Sequence, residues 1–190
     1  MNVLIYGIQG SGKSTQGKML SQRLHLPYLS TGHIFRELSH QPTRESRYIK
    51  ETLAAGVLVP DEIVIPIIEN YLTKSEYKDG WILDGFPRNL KQANKFKNKI
   101  DVVFYVQVSD KEALWRLSFR TDPQGDVRED ETLKGIRQRI HLFHRVTEPV
   151  IEHYRKQDLV IDIDGERKIN EISDDITSKI RWYKKGNGKE

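Results

Sequence analysis

Gly7-Ile8-Gln9-Gly10-Ser11-Gly12-Lys13-Ser14 fits the spacing G-x-x-x-x-G-K-[ST] without a gap, and it stands between the apolar run 3–6 and a helical stretch through Lys18-Met19-Leu20. That placement gives the motif a mechanism. The glycines let the backbone curl until consecutive N–H groups point at phosphate oxygens, and the positive end of the following helix adds to the attraction. Lys13 is placed to reach the β- and γ-phosphates of a nucleotide, and the Ser14 hydroxyl to ligate Mg²⁺ or hold one of its waters. The stretch reads as a P-loop.

Outward from the loop, short runs rich in β-branched and aromatic residues alternate with helical patterns. The runs cover 3–6, 28–30, 81–84, 102–108 and 159–164 and are almost continuously apolar, as strands covered on both faces should be. This predicts an α/β fold, a three-layer P-loop architecture with a parallel sheet. A long helix is expected from about Asp130 to Lys156, kinked at Pro149. Ile169, Ile172, Ile176 and Ile180 mark the packed face of a C-terminal helix, and Ser109 with Glu112 has the form of a capping box. Between His33 and Thr73 lies a polar insertion, in which Gly56 ends one helix, Asp61 caps the next, and Pro66 should bend that helix or shift its start. Residues 184–190 read as a frayed tail.

At 190 residues and 37% apolar content the chain suits a single domain with one sizeable core. It has no cysteine, so thiolate zinc sites, disulfides and cysteine nucleophiles are excluded. No run approaches the ~18 apolar residues of a membrane span, and the first residues lack the pattern of a signal peptide, so a cytoplasmic protein is expected. Lys and Arg number 31 against 27 Asp and Glu, a formal net charge of +4 that calls for an anionic partner.

Trp81-Ile82-Leu83-Asp84 sets a carboxylate at the C-terminal end of a buried strand, where α/β sheets bind ligands, which makes Asp84 the natural acid for Mg²⁺ or its water shell. Gly85-Phe86-Pro87-Arg88 follows directly. An arginine held in a stiff turn beside the P-loop can fork onto a second phosphate, and Gln92, one helical turn on, offers a donor and an acceptor to a base edge. Two nucleotides are implied.

With these segments in order, together with Ser30-Thr31-Gly32-His33-Ile34-Phe35-Arg36 and Gly56-Val57-Leu58-Val59-Pro60-Asp61-Glu62, the chain resembles the adenylate kinase family of nucleoside monophosphate kinases from Met1 to about Asp175. The resemblance implies a five-stranded parallel sheet forming the core (1–30, 74–119 and 140–183), a monophosphate-binding insertion (31–73) and a short lid (about 120–139). It implies the reaction ATP + AMP ⇌ 2 ADP, Mg-dependent, in a monomer that binds these nucleotides and neither nucleic acid nor membrane. Carried over by position, Gly10, Ser11, Gly12, Lys13, Ser14 and Thr15 would hold the ATP phosphates with Arg116 and Arg120, and Arg167, in the loop Gly165-Glu166-Arg167, would lie against the donor adenine. Thr31, Arg36, Val57, Leu58, Val59, Gly85, Phe86, Arg88 and Gln92, joined by Arg128 and Arg139, would hold AMP. Lys13, Arg88, Arg120, Arg128 and Arg139 would act on the moving phosphoryl group, with Ser14 and Asp84 toward the metal. Bringing two polyanions together raises repulsion that guanidinium groups offset, and a single such arginine contributes roughly 10³–10⁵ in rate in related chemistry. No strong base is required, because the acceptor is already an anion. Exclusion of water is required. The loop 121–127 is short, and a lid of this type carries no zinc.

Three positions depart from the family pattern. His33 replaces an aspartate that helps order the metal's water shell, Gln9 replaces a common proline, and Glu131 stands for a second aspartate. His141, His144 and His153 are read as helix-surface or packing residues lacking a convergent carboxylate. Thr31 and Gln92 favour AMP over a pyrimidine monophosphate, since UMP/CMP kinases of this fold tend to carry Ala and Asn there. A pyrimidine kinase, and a P-loop NTPase or nucleotide-sensing switch, remain the alternatives. Setting Lys13, Arg36, Arg88, Arg120, Arg128 and Arg139 aside takes the 31 cations to 25 against 27 anions, so two phosphate sites can account for the basic excess.

Overall fold

The computed structural model describes residues 1–119 and 132–186. Five strands, β1 (Asn2–Tyr6), β2 (Tyr28–Ser30), β3 (Trp81–Asp84), β4 (Val102–Gln107) and β5 (Val160–Asp164), form one parallel sheet in the order β2-β3-β1-β4-β5. The chain crosses to β2, returns to β3, then passes β1 to reach β4. The strand order therefore reverses at β1, which puts a binding crevice at its C-terminal end. The expected strands match to within one residue at either end.

Near-continuous apolar strands imply cover on both faces, and alternation divides their side chains between two cores. Val3, Ile5, Ile82 and Phe104 pack on one side with Leu20 of α1 (Lys13–Leu24) and with Ile172, Ile176 and Ile180 of α9 (Ile169–Gly186). Ile169 is instead 57% exposed, because it is the first residue of its helix and lies beyond the sheet's cover. Leu4, Tyr6, Leu83 and Val103 face the larger core. That core is covered by α2 (Thr31–Ser39), α3 (Arg44–Ala54), α4 (Asp61–Leu72), α5 (Leu90–Lys95), α6 (Asp110–Ser118), α7 (Leu133–Leu142) and α8 (Glu148–Arg155).

Two local expectations, the Asp61 cap and the capping box, are corrected, and the structure shows how the chain runs at Pro149 and Pro66. Thr132 caps α7 by accepting from the Gly135 N–H, and the helical path runs through a wide turn, Phe143–Thr147, into α8 with no break at Pro149. Proline has no N–H and crowds the carbonyl four residues back. The i→i−5 bond from Glu148 N–H to Phe143 C=O opens the turn just ahead of it, and Pro149 becomes a tolerated first-turn residue. Helix α4 runs unbroken through Pro66, and its cap is Pro60, whose carbonyl accepts from Ile63 and Val64; Asp61 is the first helical residue. The capping box at Ser109 is half made. The Ser109 hydroxyl accepts from Glu112 N–H, but the Glu112 carboxylate turns to Arg116, and Glu166 takes the Ser109 N–H. Helix α6 ends at Ser118, and the start of the expected long helix at Asp130 lies outside the described residues. Among the described residues no helix is long and apolar enough to cross a membrane.

Candidate active site

The P-loop connects β1 to α1 at the crevice. Gly10 and Gly12 adopt φ of +90° and +87°, left-handed conformations that other residues enter only with strain. A hydrogen bond from Ser11 N–H to Ile8 C=O (3.0 Å) closes the turn, and the Lys13 ammonium lies 3.5 Å from the same carbonyl. Arg116 reaches the loop from α6. Its Nε donates to Glu112 at 2.7 Å and its Nη1 to Ser11 C=O at 3.4 Å, so a cation is fixed against the phosphate cradle. Thr15 follows Ser14 in the first turn of α1.

Asp84 ends β3 beside β1 in the register Ile5↔Asp84, buried to 4% exposure. Its Oδ2 accepts from Ser14 Oγ at 2.7 Å and from Tyr28 Oη at 2.6 Å. Burial, followed by the adjacent carboxylate, pushes the Tyr28 phenol far above its usual range, so Tyr28 remains a donor. Ser14 and Asp84 together form a hard oxygen pair at the P-loop, a donor set that fits a magnesium ion shared with nucleotide phosphates.

Arg88 is tied at three points. Its N–H donates to Gln92 Oε1 at 2.7 Å, its carbonyl accepts from Thr147 Oγ1 at 3.0 Å, and its Nε donates to Gly85 C=O at 2.8 Å. Burial lowers the Arg88 guanidinium pKa, Asp84 opposes that, and Arg139 adds to it; a guanidinium stays charged nonetheless. Gly85, at φ +87°, leaves room for both neighbours, because a Cβ there would collide with Thr31 Oγ1 and crowd Arg88 Nη2 at 3.0 Å. Thr31 donates to the Gly85 carbonyl at 3.0 Å.

A cavity of about 150 Å³ gathers these groups. Lys13, Ser14, Arg36, Asp84, Gly85, Arg88, Arg139, Val57 and Leu58 line it, so four cations face one carboxylate. Arg139 comes from α7, with its Nη2 donating to Leu53 C=O at 2.5 Å, which draws α7 to the end of α3. A smaller neighbouring slot is lined by Thr31, Phe35, Val57, Leu58, Val59, Val64, Arg88 and Gln92. An anionic group held in the first cavity and a flat apolar ring held in the second would belong to one ligand. A second phosphate chain would enter over the P-loop.

Other expected residues lie elsewhere. Phe86 turns into the core, edge-on to Phe96 at 5.2 Å, and lines neither cavity. Arg167 pairs with Asp175 at 2.5 Å and with Asp164 at 3.5 Å. His33 is exposed, with its N–H 3.4 Å from Ser30 Oγ, and Gln9 lines the larger cavity. Arg120, Arg128, Glu131 and the loop 121–127 lie outside the described residues. The histidine expectation needs a correction, because carboxylates do converge on His144. Its ring nitrogens lie 2.8 Å from Asp110 and 2.9 Å from Glu148. Among the described residues, however, no group of three or more such side chains could hold a metal.

Sequence reasoning missed Tyr28, Asp61 and Thr147. Asp61 Oδ1 accepts from Asn89 at 2.9 Å and from Gln92 at 2.8 Å. Its position two residues before the apolar run that opens at Ile63 signals a cap, whereas its role comes from α5 standing beside the start of α4.

Comparison with known proteins agrees with this geometry. The family model described as adenylate kinase matches residues 5–159. Adenylate kinase of Rickettsia bellii is 36% identical over 95% of this chain and 99% of its own length. Those of Methanocella arvoryzae and Methanothrix thermoacetophila are 33% and 34% identical, over 95% and 96% of this chain and 99% and 100% of their own lengths. A P-loop at the switch point of a five-stranded parallel sheet, a second arginine-lined cavity beside it and relatives matched end to end lead to one conclusion: the chain is a nucleotide-binding kinase and belongs to the adenylate kinase family.

Proposed function

We propose that the chain transfers the γ-phosphoryl group of ATP to AMP, giving two ADP, reversibly. An oxygen of the AMP phosphate attacks the γ-phosphorus, the bond from that phosphorus to the β–γ bridging oxygen breaks, and the leaving ADP carries the charge away. The observation that carries this reading is the convergence of Lys13, Arg36, Arg88 and Arg139 on one cavity that opens both to the P-loop and to the slot holding Gln92.

The cations have distinct work. Backbone N–H groups of Gly10–Thr15, with Lys13 and Arg116, bind the donor phosphates, while Arg36 and Arg88 bind the acceptor phosphate. Arg139 stands between the two and, with Arg120 and Arg128, neutralises the charge that spreads over the moving group. Thr31 and Gln92 hold the acceptor base among Val57, Leu58, Val59 and Val64. Ser14 and Asp84 would hold Mg²⁺, which when bound neutralises charge on the donor phosphates. Tyr28 keeps the Asp84 carboxylate aimed at that position.

A coupled assay of ADP formation from ATP with AMP, CMP, UMP or GMP tests the reading. AMP should be the preferred acceptor, and removal of Mg²⁺ by a chelator should abolish turnover. Activity on UMP or CMP without AMP would reassign the acceptor, and phosphate release without any monophosphate would make the chain a plain NTPase.

A further inference from the structure

Asp61 lines neither cavity, yet its carboxylate reaches Gln92, a side chain of the smaller cavity that can both donate to and accept from a base edge. Gln92 is 2% exposed and engaged on both sides. Its Nε2 donates to Asp61 Oδ1 at 2.8 Å, and its Oε1 accepts from the Arg88 N–H at 2.7 Å. Asn89 and Lys91 hold the carboxylate in turn, at 2.9 Å and 3.4 Å. Burial pushes the Asp61 carboxyl up, but hydrogen bonds from Asn89, Gln92 and Lys91 outweigh it and keep the group below its usual range. It is ionised at neutral pH.

A carboxylate can only accept, and a backbone N–H can only donate. The Gln92 amide therefore has one orientation. Turned over, it would set oxygen against the Asp61 carboxylate and NH₂ against the Arg88 N–H, exchanging two hydrogen bonds for two repulsions. What remains for a ligand is the second Nε2 hydrogen and the second Oε1 lone pair.

We propose that Asp61 is a specificity-determining positioning residue. By fixing the Gln92 amide it sets the order of donor and acceptor shown to the monophosphate base, so that the slot takes a 6-aminopurine and rejects a 6-oxopurine. The proposal rests on the reading of that slot as the acceptor base site. A 6-aminopurine presents a donor at its amino group and an acceptor at N1, which pair with Oε1 and Nε2. A 6-oxopurine presents an acceptor at O6 and a donor at N1–H, the reverse order. Against a fixed amide it sets like against like, and only a flipped amide would receive it.

The test is kcat/KM for AMP, IMP and GMP at saturating ATP, in the wild type and in Asp61→Ala, Asp61→Ser and Asp61→Asn. IMP carries the reversed edge without the 2-amino group of GMP, which separates edge order from bulk. Asp61→Ala should raise the IMP:AMP ratio about tenfold or more, because the amide then loses one of its two orienting partners, only the Arg88 N–H opposes its turning, and it can turn to suit the reversed edge at a lower cost. The KM for AMP should rise while the KM for ATP holds. Asp61→Asn, whose amide oxygen the Asn89 Nδ2 donor would keep turned toward Gln92, should keep the ratio within about threefold of wild type. Should Asp61→Ala fail to fold, Asp61→Ser decides, since a serine suits a helix start and its hydroxyl imposes no orientation. An unchanged IMP:AMP ratio in the folded Ala or Ser variant, or an equal loss on all three acceptors, would overturn the proposal. A wild type inactive on AMP would remove the base-site reading itself, and the proposal with it.

Discussion

Arg88 shows how far one residue can be constrained by its neighbours. Its backbone is held by Gln92 and Thr147 and its side chain by Gly85, so the guanidinium is aimed before any ligand arrives. Preorganised charge of this kind acts fully in the transition state, with nothing left to reorganise. Arg88→Ala should lower turnover by about 10³-fold or more while the thermal melting temperature stays near wild type, because the hydrogen bond its Nε makes is to a loop carbonyl. Turnover within a few-fold of wild type would take Arg88 out of the site. Arg88 and Asp84 were legible because each sits at a fixed offset from a strand end. Tyr28 was not, since its bond to Asp84, 56 positions away, depends on β2 lying beside β3 with Ser30 opposite Asp84.

Among the elements, α6, α7 and the wide turn Phe143–Thr147 carry groups from outside the sheet to the cleft. Arg116 leaves α6 for the P-loop, Arg139 leaves α7 for the end of α3, and Thr147 leaves the wide turn for Arg88. The wide turn was not legible because Pro149 announces a disturbance without saying how it is accommodated. His144, in that turn, straps the start of α6 to α8 through Asp110 and Glu148. Burial lowers its pKa, but hydrogen bonds and the charges of both carboxylates outweigh this and raise it. A proton bound more tightly in the folded state gives stability that is complete below the unfolded value near 6.5 and is lost as the pH climbs through the folded value. In urea titrations His144→Ala should therefore destabilise more at about pH 5.5 than at about pH 8.5. An equal or larger effect at the higher pH would contradict the strap.

Across the whole molecule, the sheet order at the switch point decides where the chemistry can be, and the charge distribution decides what it can hold. The five strands were legible from continuous apolar runs, because a strand buried on both faces leaves little freedom of composition. The order of those strands was not legible, since no local pattern encodes which strand lies beside which. The basic excess of the chain has a comparable resolution. Lys13, Arg36, Arg88 and Arg139 meet at one cavity rather than along an exposed stripe, so the positive charge marks a cleft for small polyanions.

That cleft is the central claim, and a ligand that fills both nucleotide positions at once tests it most directly. Two adenosines joined by a pentaphosphate bridge supply both bases and the full run of phosphates. Titration calorimetry with this compound should show one molecule bound per chain, tighter than either ATP or AMP alone, because one binding event engages both halves of the cleft. It should also displace ATP and AMP together. Two molecules bound per chain, or displacement of ATP with AMP left in place, would contradict a single cleft built to hold donor and acceptor side by side.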